Sequence, residues 1–184
     1  MKDNDLIFLA FVGIGAYIIW RNTSNPSPGA FDPSTPDTFS SLDILPQTVS
    51  SAGIEFIKQN ESFVSTPTNG AIGYGHEILP GEDWSGGITR EQASNLLDQD
   101  LIPVENTINN NVTVSISQNQ FDALADFIYN VGVTAFLNST LLSDLNAGNY
   151  AQASNDFSQW LRAGTSYPQG IANRRGAEQY LFNA

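Results

Sequence analysis

The chain has 184 residues, enough for one domain of ordinary size and a terminal extension, and its hydrophobic content of 41% can supply a sizeable core. Acidic residues outnumber basic ones by 19 to 7, and the net charge of −12 argues against nucleic acid as a partner, because phosphate binding needs a clustered basic surface. The absence of cysteine and the presence of one histidine exclude disulfides, thiolate metal sites and sites built on several imidazoles, so we expect neither a metal nor a cofactor.

An uncharged apolar run, LIFLAFVGIGAYIIW, occupies residues 6–20. It is shorter than the roughly 20 residues of a comfortable membrane span, but polar flanking residues let such a segment cross. A buried core helix is the alternative, whereas a cleaved signal peptide is disfavoured because residues 1–5 are poorly basic and no small-residue cleavage site follows. We predict that residues 1–21 form an N-terminal transmembrane helix or signal anchor.

Residues 22–45 are rich in Ser, Thr, Pro, Asn and Asp, which predicts an extended, solvated linker. The folded domain is then expected over residues 46–184. Its first helix is predicted over residues 47–60, from apolar residues at near-helical spacing, with Ser50 or Ser51 as the cap. Glu61 follows at the C-terminal end of this helix. By itself, a lone glutamate at a helix end is more typical of a solvated surface than of a site.

A hairpin is predicted over residues 63–79, because Asn69-Gly70 is a strong turn signal. Glycines at positions 73 and 75 leave one face of the returning strand bare, which suits close approach by a backbone or a ligand, although simple strand packing is the alternative.

Helices dominate the remainder of the chain. A capping box from Thr89 to Gln92 opens a long helix that runs to about Ile108, and a second box from Ser117 to Gln120 opens a buried one. Gly132 is expected to end this second helix in the left-handed αL conformation. Shorter helices are predicted over residues 138–145, 150–163 and 171–182. One small sheet with many helices predicts an α+β fold.

A series of short motifs occurs between residues 61 and 178: Glu61-Ser-Phe, Ile72-Gly-Tyr-Gly-His76, Gly87-Ile-Thr-Arg-Glu-Gln-Ala93, Leu96-Leu97, Asp100-Leu101, Gln118-Asn-Gln-Phe-Asp-Ala-Leu124, Asn130-Val-Gly132, Ser139-Thr-Leu-Leu142, Leu145-Asn-Ala-Gly148, Trp160 and Asn173-Arg-Arg-Gly-Ala-Glu178. Together and in this order, they resemble the phage-type lysozymes of glycoside hydrolase family 24, the endolysin muramidases. The resemblance covers essentially the whole domain from residue 46 onwards.

The resemblance implies a lysozyme-like fold, in which a small β-hairpin sheet lobe and a helical lobe are joined by the long helix at residues 89–108. The implied substrate is the glycan strand of peptidoglycan, cut at the β-1,4 bond between N-acetylmuramic acid and N-acetylglucosamine. Glu61 takes the position of the general acid that protonates the leaving oxygen. His76 and Asp100 fall on a structural pair that links the two lobes.

The resemblance also implies a substrate cleft. Arg174 falls where the family places an arginine near the catalytic glutamate. The positions expected to bind substrate are Tyr74, Asn130, Gly132, Thr140 and Arg174.

The hairpin departs from the family's pattern. The family usually has an aspartate in the hairpin and a threonine just before the Ile-Gly-x-Gly-His segment, but here the threonine position is Ala71 and no acid occurs from Phe63 to Tyr74. An inverting glycosidase needs a second carboxylate to activate water. Three polar residues could orient a water instead, namely Ser65, Thr68 and Asn69, and we take Thr68 and Asn69 as catalytic candidates. Glu77 is the nearest carboxylate in sequence, and strand alternation could point it away.

Three functions are therefore considered. The first is a muramidase that uses Glu61 and a positioned water in cell-wall lysis by a phage. The second is a lytic transglycosylase that uses Glu61 alone. The third is a weakly active peptidoglycan-binding protein of a virion or membrane. We expect a monomer that is membrane-anchored through residues 6–20, with its domain facing the host periplasm, or that is associated with the virion.

Overall fold

A computed structural model describes residues 46–161 and 168–184 of the chain. The predicted anchor at residues 1–21 and the predicted linker at residues 22–45 lie outside the described residues, and both stay predictions. Within the described part of the chain, no helix combines the length and the apolar character needed to cross a membrane.

The described residues form one small sheet and a larger set of helices, as expected. The helices are α1 (Ser51–Glu61), α2 (Arg90–Asn111), α3 (Gln118–Val131), α4 (Val133–Leu137), α5 (Thr140–Asn146), α6 (Tyr150–Asp156) and α7 (Pro168–Asn183), with a 3-10 turn at Phe157–Gln159. The short helix α4 was not predicted, and α7 begins three residues before the predicted start at residue 171.

Side-chain caps fix the starts of the three helices that carry the fold. Ser50 caps α1, while Thr89 with Gln92 and Ser117 with Gln120 form complete capping boxes at α2 and α3. Each box satisfies backbone N–H groups that a helix start would otherwise leave unpaired. The predicted starts of α2 and α3 are therefore confirmed, and Ser50 is the cap of α1, which begins at Ser51 and not at residue 47.

The sheet is an antiparallel meander of three short strands in the order β1 (Val64–Thr68), β2 (Ala71–Gly73) and β3 (His76–Glu77). Asn69 and Gly70 join β1 to β2 with φ angles of 51° and 82°. Both positive angles are those of a type I′ hairpin turn, which suits the twist of the strands and explains the Asn-Gly pair.

Helix α3 is the centre of the core, because it packs against α1, α2 and α7. Phe121, Leu124 and Phe127 on α3 are fully buried. The long helix α2 contacts both α3 and the sheet, so it connects the hairpin to the helical part as the resemblance implies. Gly132 ends α3 with φ 90° but ψ 151°, so it requires glycine without adopting the predicted αL conformation.

Candidate active site

Glu61 is the last residue of α1, and the backbone changes direction directly after it, at Ser62, where φ is 61°. Its carboxylate lies against the backbone of Gly75: a Cβ built on Gly75 would come within 3.1 Å of Glu61 Oε2. Gly75 also has φ +95°, which favours glycine on its own. The close approach of the hairpin leaves the Glu61 side chain 19% exposed, between solvent and protein.

Arg174 of α7 holds Glu61 from the other side. Its Nη1 donates to Glu61 Oε1 at 2.6 Å, while Nε and Nη2 donate to the two carboxylate oxygens of Asp126 at 3.0 and 2.9 Å. Asp126 lies on α3 and is fully buried. Burial by itself would lower the pKa of Arg174, but the charges of Asp126 and Glu61 raise it. The guanidinium is therefore a fixed cation that Asp126 orients and Glu61 shares.

A second buried pair supports this contact. Glu178 is fully buried one turn after Arg174, and its Oε2 accepts from Arg175 Nη1 at 2.7 Å. Burial and the neighbouring Asp126 raise the pKa of Glu178, against the opposing effect of the two arginines. Arg175 Nη2 in turn donates to Asn130 Oδ1 at the C-terminal end of α3. The cluster thus joins α7 to α3 directly behind Glu61.

His76 makes the predicted contact with the long helix. Its Nδ1 lies 3.0 Å from both carboxylate oxygens of Asp100 on α2. Its Nε2 lies 3.0 Å from Glu82 Oε2, a partner that the sequence did not suggest. Burial would lower the pKa of His76, but the hydrogen bonds to Glu82 and Asp100 outweigh it and raise the pKa. The imidazole is thus held between two carboxylates, and we call these three residues, His76, Asp100 and Glu82, the His76 clamp.

Glu82 is the centre of the loop after β3. Its Oε2 also accepts from the backbone N–H of Leu79 at 2.9 Å and from Trp84 Nε1 at 3.2 Å. The hydrogen bond from His76 lowers the pKa of Glu82 to about 2, so its carboxylate stays ionised at neutral pH. The clamp therefore ties this loop, β3 and α2 together behind the hairpin.

Tyr74 was expected to bind substrate, but its side chain is buried, so a role in binding substrate stays a prediction. Tyr74 is 7% exposed, and its ring packs 5.6 Å from the ring of Phe63. Its backbone carbonyl instead accepts from the hydroxyl of Tyr129 on α3 at 3.0 Å. Burial raises the pKa of Tyr129, so the hydroxyl keeps its proton and fixes the Tyr74-Gly75 turn against α3. Nothing in the motifs pointed to Tyr129.

Three other residues predicted to bind substrate lie at or after the C-terminal end of α3. Gly132 and Thr140 are exposed, and Asn130 is half-buried. A shallow hollow of about 280 Å³ is lined by Asn130, Val131, Ala135, Gln159, Trp160 and Leu161. Arg174 is 8% exposed with its donors turned inwards, so it can orient Glu61 but presents little surface to a ligand.

The two further catalytic candidates, Thr68 and Asn69, are exposed at the hairpin turn. The hydroxyl of Thr68 donates to the carbonyl of Thr66 at 3.1 Å, and Asn69 forms the turn with Gly70. This turn is at the opposite end of β2 from Gly75, which contacts Glu61. The described hydrogen bonds do not join either residue to Glu61, and their role with water stays a prediction.

The sequence of the chain matches a known family of proteins. The profile of the family described as phage lysozyme matches residues 58–178. The chain is 42% identical to an endolysin of Bacillus phage PZA over 146 residues, which are 74% of this chain and 55% of that protein. It is 38% identical to the endolysin of Salmonella phage P22, over 73% of this chain and 97% of that protein.

Solved structures with a similar fold are lysozymes and muramidases as well. A crystal structure of P22 lysozyme superposes with a TM-score of 0.67 at 37% identity, covering 75% of this chain and 99% of that one. The muramidase domain of SpmX from Asticaccaulis excentricus gives a TM-score of 0.69 at 32% identity, over 75% of this chain and 99% of that one. The chain spans about half the length of the endolysins of Bacillus phages PZA and B103. The lysozyme-like fold is thus established, and the chain belongs to the phage lysozyme family.

Proposed function

We propose that the chain is a peptidoglycan hydrolase of the endolysin type, which cleaves the β-1,4 bond between N-acetylmuramic acid and N-acetylglucosamine during cell-wall lysis by a phage. The observation that carries the proposal is the setting of Glu61. This carboxylate is half-buried at the end of α1, against the backbone of Gly75 and in contact with Arg174. Relatives that this chain covers over nearly their whole length are named endolysins.

Glu61 acts as the general acid in this proposal. It gives a proton to the glycosidic oxygen as the bond to the anomeric carbon breaks, which requires a carboxyl group held at a fixed position and partly shielded from water. Arg174 already has a full carboxylate partner in buried Asp126. Its contact with Glu61 therefore orients the carboxyl group without needing Glu61 as its counter-ion. Asn130, Gly132 and Thr140 are the proposed contacts for the glycan beyond this point.

A zymogram of the full-length chain on purified sacculi tests this function. The wild-type protein should clear the gel, and Glu61→Gln, which keeps the shape of the side chain but cannot act as an acid, should not. Glu55→Gln is a matched control, because Glu55 is an exposed carboxylate on the same helix that pairs only with Lys58 among the described residues. Undiminished clearing by Glu61→Gln would exclude Glu61 as the general acid.

One observation favours a lytic transglycosylase as the second candidate function. No acid occurs in the sequence from Phe63 to Tyr74, where the family's second carboxylate is expected. In such an enzyme a hydroxyl group of the substrate replaces the attacking water. Mass spectrometry of the products separates the two reactions, because hydrolysis leaves reducing muramic ends and transglycosylation leaves 1,6-anhydro ends.

We also propose that residues 6–20 anchor the chain in the inner membrane with the domain facing the periplasm, where peptidoglycan lies. The apolar run itself and several relatives named SAR-endolysin, including that of Escherichia phage Mu, support this placement. Membrane fractionation of the full-length chain and of a variant without residues 6–20 tests it. The full-length chain should sediment with membranes and the shortened one should not. Recovery of both in the soluble fraction would contradict the anchor.

A further inference from the structure

Glu77 is the only acidic residue in the sequence between Ser62 and Gly81, the segment that holds the whole sheet. Its side chain is exposed on β3. Within the described part of the chain, its carboxylate makes no hydrogen bond or ion pair with another side chain, whereas Glu82, five residues later, is fully engaged by the His76 clamp. The sheet therefore carries one carboxylate that has no structural task in the fold.

The strand register shows which face Glu77 is on. Ile72 pairs with His76, and both are buried towards α2, where His76 contacts Asp100. Ala71 pairs with Glu77, so alternation puts these two side chains together on the opposite, outer face. The Glu77 side chain therefore points away from α2 and the core, and it lies on the exposed face of the sheet.

The pairing of Ala71 with Glu77 also leaves room for the Glu77 carboxylate. Ile78 N donates to Gly70 O at 2.8 Å, which makes Ala71 and Glu77 a non-hydrogen-bonded pair, the kind in which facing side chains are closest. Ala71 contributes only a methyl group at the position where the family usually has a threonine. A longer side chain at residue 71 would compete for the space above the sheet that Glu77 can use.

The distance to Glu61 is compatible with a catalytic pair. Gly75, whose built Cβ lies 3.1 Å from Glu61 Oε2, is two residues before Glu77, and two residues span at most about 7 Å. The Glu61 carboxylate is therefore within roughly 12 Å of the Glu77 Cα, and the Glu77 side chain can shorten that separation towards the roughly 6.5–9.5 Å that inverting glycosidases use. Thr68 lies on the edge strand β1, about 9–10 Å from β3 across the sheet.

From this geometry we propose that Glu77 is the catalytic base that activates the attacking water, in place of the aspartate expected in the hairpin. The inference rests on the proposed hydrolase function. Water attacks the anomeric carbon, the Glu77 carboxylate takes a proton from it, and Glu61 gives its proton to the leaving oxygen as the glycosidic bond breaks. Glu77 ends protonated and Glu61 ionised, and exchange with solvent restores both. Because the water enters opposite the leaving group, the product has the inverted anomeric configuration.

The test compares the full-length wild-type chain with Glu77→Gln, Glu77→Ala and Asp98→Asn, the last a matched control that removes an exposed carboxylate from α2. Release of reducing ends from sacculi is followed with and without sodium formate, a small carboxylate that can enter the space of the missing side chain and take the proton from the attacking water. We expect both Glu77 variants to lose about 10²-fold or more in kcat. Formate should raise the rate of Glu77→Ala by at least about tenfold and leave Glu77→Gln unchanged, because the amide of Gln still fills the space, and the control should match the wild type.

The outcomes separate this inference from the function on which it rests. If wild-type chain releases reducing ends and Glu77→Gln does so within about threefold, Glu77 is not the base but the hydrolase stands. A large loss in Glu77→Ala without rescue by formate also overturns the inference, because it indicates a structural role. A wild-type chain that releases only 1,6-anhydro ends, or none, overturns the hydrolase and the inference together.

Discussion

Replacing Arg174 by methionine removes the cation that Asp126 and Glu61 share, and the structure gives the size of the effect. Arg174 is 8% exposed and Asp126 is fully buried, so the variant leaves a carboxylate inside the protein without its main partner. Removing one partner of a buried ion pair costs about 3–5 kcal/mol, because the remaining charge stays desolvated. For a domain of this size, that loss corresponds to a fall in Tm of roughly 10–20 °C.

Urea denaturation of Arg174→Met and of the double variant Arg174→Met/Asp126→Asn measures this cost. The second change neutralises the stranded carboxylate, so it should recover about 1–2 kcal/mol of the free energy of unfolding. In the wild-type background, Asp126→Asn alone should instead destabilise the domain. A loss below about 1 kcal/mol for Arg174→Met, or no recovery in the double variant, would refute the view that Asp126 fixes this cation.

Other changes test the elements that position Glu61. Gly75→Ala forces a side chain onto a residue with φ +95° and within 3.1 Å of the Glu61 carboxylate, so kcat should fall and the free energy of unfolding should drop by about 1–3 kcal/mol, as urea denaturation will show. Tyr129→Phe removes the hydrogen bond to the Tyr74 carbonyl and should cost about 0.5–1.5 kcal/mol, and an unchanged midpoint would mean that this bond does not hold the turn. His76→Gln removes a group whose folded-state pKa is raised above 6.5 by Glu82 and Asp100. The extra stability of the wild type over this variant should be full below pH 6.5 and should be lost as the pH rises through the higher folded-state pKa of His76. The Tm values of the two proteins should therefore converge at alkaline pH. A difference in Tm that widens as the pH rises would contradict the contacts of His76 with Glu82 and Asp100.

Local chemistry made much of the fold predictable. Thr89 and Ser117 cap the starts of helices together with Gln92 and Gln120, and each capping pair lies within four consecutive residues, so the sequence alone reveals it. The Asn69-Gly70 turn is similarly local, since both residues take the positive φ angles that this turn type needs.

The site was less predictable because its contacts join distant parts of the chain. Arg174 is 113 residues from Glu61 and 48 from Asp126, so only the family resemblance suggested that it lies near the catalytic candidate. Glu82 is close to His76 in sequence, but it lies in a loop, where no periodicity indicates the direction of a side chain. The burial of the Tyr74 ring was not predictable from strand alternation, because Gly73 and Gly75 both take positive φ angles that interrupt the strand pattern around it.

The rate of glycan cleavage is the direct measure of whether Glu61 is the general acid of a peptidoglycan hydrolase. Purified sacculi are incubated with the full-length chain or with Glu61→Gln, and reducing muramic ends are counted by mass spectrometry over time. We expect Glu61→Gln to lower the rate by about 10²–10⁴-fold, while the folded domain and its Tm are retained. Equal rates for the two proteins would contradict it.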